Sequence, residues 1–162
     1  MKGLKPVFPR LWRYCLTLTG NREGADDLAQ AACLRAIEKS HLFTPGSKFD
    51  SWVFRIAQRV WLNELRAEAV RRGGGMVTLD EFDLADAKPG PESNLLAREV
   101  LLEVLALPEA QRATVMLVYV EGYSYKEASE ILEIPIGTVM SRLAAARGKL
   151  AHKFDHNKSG LG

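Results

Sequence analysis

Apolar residues recur at helical spacing along most of the chain, and no segment alternates with a period of two. Phe8, Leu11, Trp12, Cys15 and Leu18 form one stripe that stops at Gly20. Leu28, Ala32, Cys33, Ala36 and Ile37 form a second, which ends before Pro45-Gly46. Phe49, Trp52, Val53, Ile56, Ala57 and Val60 form a third. Residues three and four apart share one side of a 3.6-residue turn, so the pattern predicts three amphipathic helices packed through their apolar faces.

The stretch from Gly73-Gly74-Gly75 to Pro89-Gly90-Pro91 breaks this pattern, with acids between its glycine and proline ends. It predicts a flexible acidic linker over 73–94, between a first domain over 1–72 and a second over 95–162. The second domain reads as four helices. Asn94 is a cap for Leu95 to Leu105, and Pro108 suits the first turn of a helix that runs to about Val120, with Gly122 as its stop. Ser124-Tyr125-Lys126-Glu127 has the spacing of a capping box, in which the serine accepts from the backbone N–H three residues on and Glu127 reaches back. Pro135 opens the last helix, whose Ile136, Val139, Leu143, Ala146 and Leu150 repeat at helical steps. The fold class is therefore all-α, with two small helical domains.

Two short helices joined at Glu133-Ile134-Pro135, the second of them basic, match the helix-turn-helix pattern. A plain three-helix bundle with a solvated basic face has the same apolar spacing. Thr138, Ser141, Arg142 and Ala145 face away from the Ile136/Val139/Leu143 stripe. The first residues of a reading helix reach base edges and later cations hold phosphates. Thr138, Met140, Ser141 and Arg142 are thus assigned to bases, and Arg147 and Lys149 to the DNA backbone. Met140 either faces DNA, where it can pack on a thymine methyl group, or packs inside the bundle.

The overall charge of +2 hides a division. Residues 1–72 hold 13 Lys/Arg and 7 Asp/Glu, 73–94 hold 1 and 5, and 95–162 hold 8 and 8. Within the last part, 136–153 carries Arg142, Arg147, Lys149 and Lys153 and no acid. Positive charge is concentrated in one place per domain, which suits a polyanionic partner. The third helix carries Arg55, Arg59, Asn63 and Arg66 on one face, opposite Trp52 and Ile56, and the arginine fork matches phosphate geometry. Phe54 and Trp61 lie beside that face. They either offer a platform to unstacked bases or pack on the first helix.

No apolar run is long enough to span a bilayer, and the N-terminal MKGLKPVFPRLWRY lacks the apolar core of a signal peptide, so the expected place is the cytoplasm. Cys15 and Cys33 read as reduced core thiols. His152 and His156 are four apart with no further ligand nearby, and Gly73–Gly75 is not followed by the Lys-Ser/Thr of a phosphate loop. With no nucleophile–base pattern either, no enzyme activity, cofactor or metal is expected.

SYKEASEILEIPIGTVMSRLAAARGKL strongly resembles the promoter-reading domain of bacterial extracytoplasmic-function (ECF) sigma factors. GADDLAQAACLRAIEK, followed by FDSWVFRIAQRVWLNELR, resembles the first domain of that family. The resemblance covers about 8–72 and 95–152. It implies a stress-responsive transcription initiation factor that binds core RNA polymerase and promoter DNA and is held by an anti-sigma factor. Asp26, Asp27, Leu28, Gln30 and Arg35 would then meet core polymerase, although acids near a helix start also complement its dipole. Lys48, Arg55, Arg59, Trp61, Asn63 and Arg66 would meet the minus-ten element, with the loop Thr44–Lys48 holding a flipped base. Thr138, Met140, Ser141, Arg142, Arg147 and Lys149 would meet the minus-thirty-five element. Glu133 stands where the family usually has glycine, Met140 and Ala145 where it often has Lys and Arg, Gln58-Arg59 where Arg-Asn is common, and Asn63 where Asp is common. A stand-alone helix-turn-helix regulator and a sigma-like decoy for an anti-sigma protein are the alternatives.

Overall fold

The computed structural model describes residues 3–71, 99 and 102–159, the last eight of these as backbone only. The chain divides into two compact units between Ala87 and Lys88. The predicted linker 73–94, with its capping residue Asn94, lies outside the described residues. Among the described residues there is no strand.

In the first unit α1 spans Leu4–Thr19, α2 Arg22–Glu38 and α3 Phe49–Arg71, with a 3-10 turn at Ser40–Leu42. The break between α1 and α2 is built from Gly20, Asn21 and Gly24. Gly20 takes the left-handed conformation at φ 80°, and its N–H closes on the Leu16 carbonyl at 2.8 Å. Asn21 is extended, and its side chain accepts from the Gly24 N–H at 2.6 Å. A Cβ on Gly24 would come within 2.9 Å of Thr19 and 3.0 Å of the capping oxygen, so this tight junction requires glycine. Helix α2 thus starts at Arg22, well before its apolar stripe begins at Leu28.

The core of the unit is Leu11, Tyr14, Cys15 and Leu18 of α1, Leu28, Ala29, Ala32 and Ala36 of α2, and Val53, Phe54, Ile56, Ala57 and Trp61 of α3. Helix α2 faces its neighbours mainly with alanines, which lets the helices approach closely. Phe8 and Ile37, expected in the stripes, lie at their edges and are exposed. Helices α1 and α3 run parallel, because rising positions on one meet rising positions on the other. Arg10 pairs with Asp50 at 3.2 Å and lies 5.6 Å from the centre of the Phe54 ring. One turn on, Tyr14 packs on Phe54 at 5.1 Å and donates its hydroxyl to Gln58 Oε1 at 2.7 Å. Both ends of this hydrogen bond are buried. Cys15 is fully buried, and burial, with a smaller contribution from Cys33, pushes its thiol up to about 12, so it is protonated and inert at neutral pH.

In the second unit residues 102–105 are helical, followed by α4 at Glu109–Val115, α5 at Tyr125–Leu132 and α6 at Ile136–Ser159. Pro108 precedes α4 rather than occupying its first turn. Its backbone is extended, and its carbonyl accepts from Gln111 and Arg112. Helix α4 continues as a wider π turn over Met116–Val120 and ends at Gly122, where φ is 78°. Arg112 is fully buried and donates to the Leu105 carbonyl at 3.3 Å, which ties α4 to the end of the preceding helix. Burial pulls its guanidinium pKa down, and Glu109 opposes that shift.

The capping box of α5 forms in full, with Glu127 N–H on Ser124 Oγ at 3.1 Å and Ser124 N–H on Glu127 Oε1 at 3.0 Å. The turn into α6 passes through Glu133 at φ 56°, the only non-glycine residue at positive φ among those described. The Ile134 N–H closes this turn on the Ser129 carbonyl at 3.1 Å. Ala128, Ile131 and Leu132 then meet Val139, Leu143 and Ala146 in a shared core. Ile136, expected in that core, is exposed because it lies on the first turn of α6 at the edge of the apolar stripe.

Two substitutions test this packing. Glu133→Gly should stabilise the protein by about 1 kcal/mol by relieving the left-handed strain of a residue with a Cβ. A melting temperature that falls would mean that contacts of the Glu133 side chain outweigh the strain. Tyr14→Phe should cost about 1–3 kcal/mol, because buried Gln58 loses its donor. Adding Gln58→Leu should recover part of that loss in chemical denaturation. Equal, additive losses would remove the hydrogen bond from this account.

Candidate nucleic-acid and polymerase interfaces

Helix α3 must bury Val53, Phe54, Ile56, Ala57 and Trp61, so its 3.6-residue period places Arg59, Asn63 and Arg66 in solvent. Arg55 is half-buried on the flank of the same face, and Lys48 is exposed in the preceding loop. These five residues form one polar, cationic track. Trp61 does not join it as an open ring. It is only 9% exposed, and Phe54 is fully buried. Phe54 packs on Tyr14 of α1 and Trp61 is buried as well, which corrects the platform reading of Phe54 and Trp61. Gln58 likewise points inward, held by Tyr14.

A different aromatic group stands at the mouth of the same helix. Phe43, Phe49 and Trp52 are all half-buried and mutually in contact, with ring centres 5.4 Å apart for Phe43–Phe49, 5.3 Å for Phe43–Trp52 and 5.9 Å for Phe49–Trp52; Trp52, expected opposite the cationic face, lies one turn before Arg55 on the same side of α3. They bracket the loop Thr44–Lys48. That loop turns at Pro45-Gly46, with Gly46 at φ 93° and Ser47 N–H on the Thr44 carbonyl at 3.2 Å. Proline followed by glycine at positive φ is the sequence of a type II turn. The signal was available: two phenylalanines flank the Pro-Gly pair, and Trp52 follows Phe49 at a helical step.

On α2, Asp26, Asp27, Gln30 and Arg35 are exposed, whereas Leu28 is 1% exposed and belongs to the core. Leu28 is therefore removed from the candidate surface, since its step from Ala25 and to Ala32 puts it under α2. The two aspartates lie in the second turn of the helix, past the reach of the dipole, and Glu23 is the acid of the first turn. Asp26 accepts from the Trp12 indole N–H at 2.6 Å, and Arg35 pairs with Glu38 at 3.6 Å. The helical stripes did not reveal what lies beside them: Leu34 is 63% exposed, and Ile37 and Leu42 are exposed as well. Asp27, Gln30, Leu34 and Ile37 share the outward face of α2 at helical steps, mixing acids with apolar surface.

In the second unit the turn at Glu133 sets α6 across α5. Val139, Leu143 and Ala146 face inward, and Met140, Ser141, Arg147 and Lys149 face solvent. Thr138 and Arg142 are half-buried on one flank. Ser141 donates its hydroxyl to the Thr138 carbonyl at 3.0 Å and keeps its lone pairs for a further partner. Gly137 and Gly148 open onto empty space, where an added Cβ would meet nothing within 4 Å. The outer face is thus shallow along its middle and cationic at its edges, a shape and charge that suit a duplex groove. His41 is exposed, and the side chains of His152 and His156 lie outside the described residues. Among the described residues no helix is long and apolar enough to cross a membrane.

Comparison with known proteins matches both units. Residues 5–71 match sigma-70 region 2, and residues 97–150 match sigma-70 region 4. The chain is 33% identical over 148 residues to the ECF RNA polymerase sigma factor EcfG of Rhodopseudomonas palustris, covering 88% of this chain and 78% of that protein. It is 30% identical over 152 residues to the ECF RNA polymerase sigma factor SigW of Bacillus subtilis, covering 87% and 81%. Among solved structures, the sigma factor RpoE of Bartonella quintana, crystallised with the anti-sigma factor NepR, superposes with a TM-score of 0.78 at 25% identity over 95% of both chains. CnrH, solved with the cytosolic domain of CnrY, shares the fold at a TM-score of 0.65 and 22% identity, over 96% of this chain and 86% of that one. Region 2 on one unit and region 4 on the other, in that order and within relatives matched over most of their length, place the chain in the family of extracytoplasmic-function (ECF) RNA polymerase sigma factors.

Proposed function

We propose that this chain is a dissociable initiation subunit that binds core RNA polymerase in the cytoplasm, directs it to a set of promoters in response to stress, and is held inactive by an anti-sigma factor. The observation that carries this reading is the presence of two separate cationic surfaces on one chain. One is the α3 track of Lys48, Arg55, Arg59, Asn63 and Arg66. The other is the outer face of α6. A stand-alone helix-turn-helix regulator uses only the second.

The two surfaces differ in the form of nucleic acid they suit. The α6 face is a helix presented by a helix-turn-helix, which fits the major groove of a duplex. The α3 track runs from a half-buried aromatic group, and rings beside cations bind unstacked bases. The reading therefore assigns the minus-thirty-five duplex to Thr138, Met140, Ser141, Arg142, Arg147 and Lys149. It assigns the opened minus-ten strand to the α3 track together with Phe43, Phe49 and Trp52. Neither step involves bond chemistry, so the protein contributes binding energy and positioning and no catalytic group. The outward face of α2, with Asp27, Gln30, Leu34 and Ile37, has the mixed polar and apolar character of a protein interface and is assigned to core polymerase. Regulation follows the example of RpoE, which is crystallised with an anti-sigma factor.

Run-off transcription with purified core polymerase tests the whole reading: the chain should confer initiation on a subset of promoters, and a decoy or a stand-alone regulator would confer none. Asp27→Arg should weaken capture of core polymerase at least about tenfold, because reversing a charge at an interface costs more than 1.4 kcal/mol. Its melting temperature should not change. Undiminished capture would take the α2 face out of the proposal. Trp52→Ala should reduce opening of a promoter carrying 2-aminopurine in the minus-ten element, by the roughly 1–3 kcal/mol of one base–aromatic stack, and Trp52→Phe should retain most of it. Full opening by Trp52→Ala would return the role to other rings.

A further inference from the structure

Two large apolar side chains stand in solvent at the start of α6. Ile136 is 47% exposed and Met140 51% exposed. They are four residues apart, hence on one side of the helix and about 6 Å apart along its axis. Every charged residue of α6 from Ile136 to Ala151 is a cation, namely Arg142, Arg147 and Lys149. Arg147, one helical repeat beyond Met140, stands on the same side of the helix as the apolar pair and is exposed. The complement of this face is a surface that is anionic and yet offers apolar groups at fixed positions.

The major groove of DNA is such a surface. Its edges carry hydrogen-bond donors and acceptors, which an isoleucine cannot engage and a thioether engages only weakly. Its one apolar group is the C5-methyl of thymine. We propose that Ile136 and Met140 read thymine methyl groups, so that part of the sequence specificity of this protein is set by apolar contact rather than by hydrogen bonds. This rests on the assignment of α6 to the minus-thirty-five duplex. Base pairs rise about 3.4 Å along the duplex, so side chains about 6 Å apart reach methyl groups one or two base pairs apart. Arg147 and Lys149 add affinity through phosphates that is the same for every sequence.

Deoxyuridine tests the inference, because it pairs as thymine does and lacks only the methyl group. The full chain bound to core polymerase would first select duplexes from a randomised library. The most enriched duplex would then be remade with deoxyuridine at one thymine at a time. Two positions, no more than two base pairs apart, should each lose roughly fourfold in affinity, the effect of failing to bury one methyl group. Both replacements together should lose roughly fifteenfold if the contacts are independent. Met140→Ala and Ile136→Ala should each abolish the response at one of these positions. Both residues are exposed and alanine favours helix, so the melting temperature should hold. Arg147→Ala and Lys149→Ala should weaken all duplexes alike and leave the response to deoxyuridine intact.

Enriched duplexes without thymine opposite the start of α6, affinity indifferent to deoxyuridine, or a response that survives Met140→Ala and Ile136→Ala would each overturn the inference. Where duplex binding persists with any of these results, α6 still reads DNA and the apolar pair is left to a protein partner. Failure to retain any duplex would instead overturn the assignment of α6, and the methyl contacts with it.

Discussion

A buried hydrogen bond between two side chains can form at only one rotation of each helix that carries them. In the first unit that bond joins Tyr14 to Gln58. Apolar contacts would tolerate some rolling of α3 against α1, but a buried amide left without its donor would not. The pair of Arg10 with Asp50 and the stacking of Tyr14 on Phe54 lie along the same seam and fix the same rotation. The exposure of the α3 track follows from it. With Phe54 and Trp61 turned inward, the residues half a turn away face out, and those are Arg59, Asn63 and Arg66. A long cationic helix becomes a defined track because its opposite face is pinned by a polar contact.

The second unit solves the same problem with local backbone chemistry. Ser124 and Glu127 set the start of α5, and the left-handed turn at Glu133 sets the angle at which α6 leaves. Holding a residue with a Cβ in that conformation is unfavourable, and the surrounding contacts must maintain it. The core shared by Ala128, Ile131, Val139 and Leu143 provides them. The outer face of α6 is consequently presented as a rigid surface whose long side chains are confined to its edges. In the proposed reading, affinity and sequence discrimination are then separable on this helix, with Arg147 and Lys149 for the first and the side chains of its opening turns for the second.

In the proposed function the two units divide the physical tasks of recognising a promoter. Reading a duplex requires a helix that projects into a groove, and the helix-turn-helix presents one. Holding an opened strand requires flat rings beside cations, and the Phe43, Phe49 and Trp52 group lies at the end of the α3 track. The outward face of α2 carries acids and exposed leucine and isoleucine and no such rings, which sets it apart from both and is why core polymerase is proposed for it.

The sequence by itself determined the all-α class, the three helices of the first unit, the capping box at Ser124, the stop at Gly122 and the family, because each depends on local spacing or on a short motif. It also identified the exposed cations of α3 and α6, since a helical period separates charged from apolar faces without knowledge of partners. Only the tertiary structure decided which aromatic rings are covered. Phe54 and Trp61 have the spacing of a platform, but both are buried, Phe54 against Tyr14 of α1. Phe43 and Trp52 are far enough apart in sequence that only the Pro-Gly turn brings them together. Leu28 looked available beside the acids of α2 and is buried, whereas Ile136 looked buried and is exposed. Position within a stripe says which face a residue is on, but whether that face is covered depends on where the neighbouring helix ends. The start of α2 was missed for a related reason: Asn21 caps it with a side-chain oxygen that accepts from the Gly24 N–H, and a polar cap leaves no trace in the apolar pattern. Glu133 was legible as a substitution for glycine, and only the folded chain shows that it is held in the conformation that glycine would adopt freely.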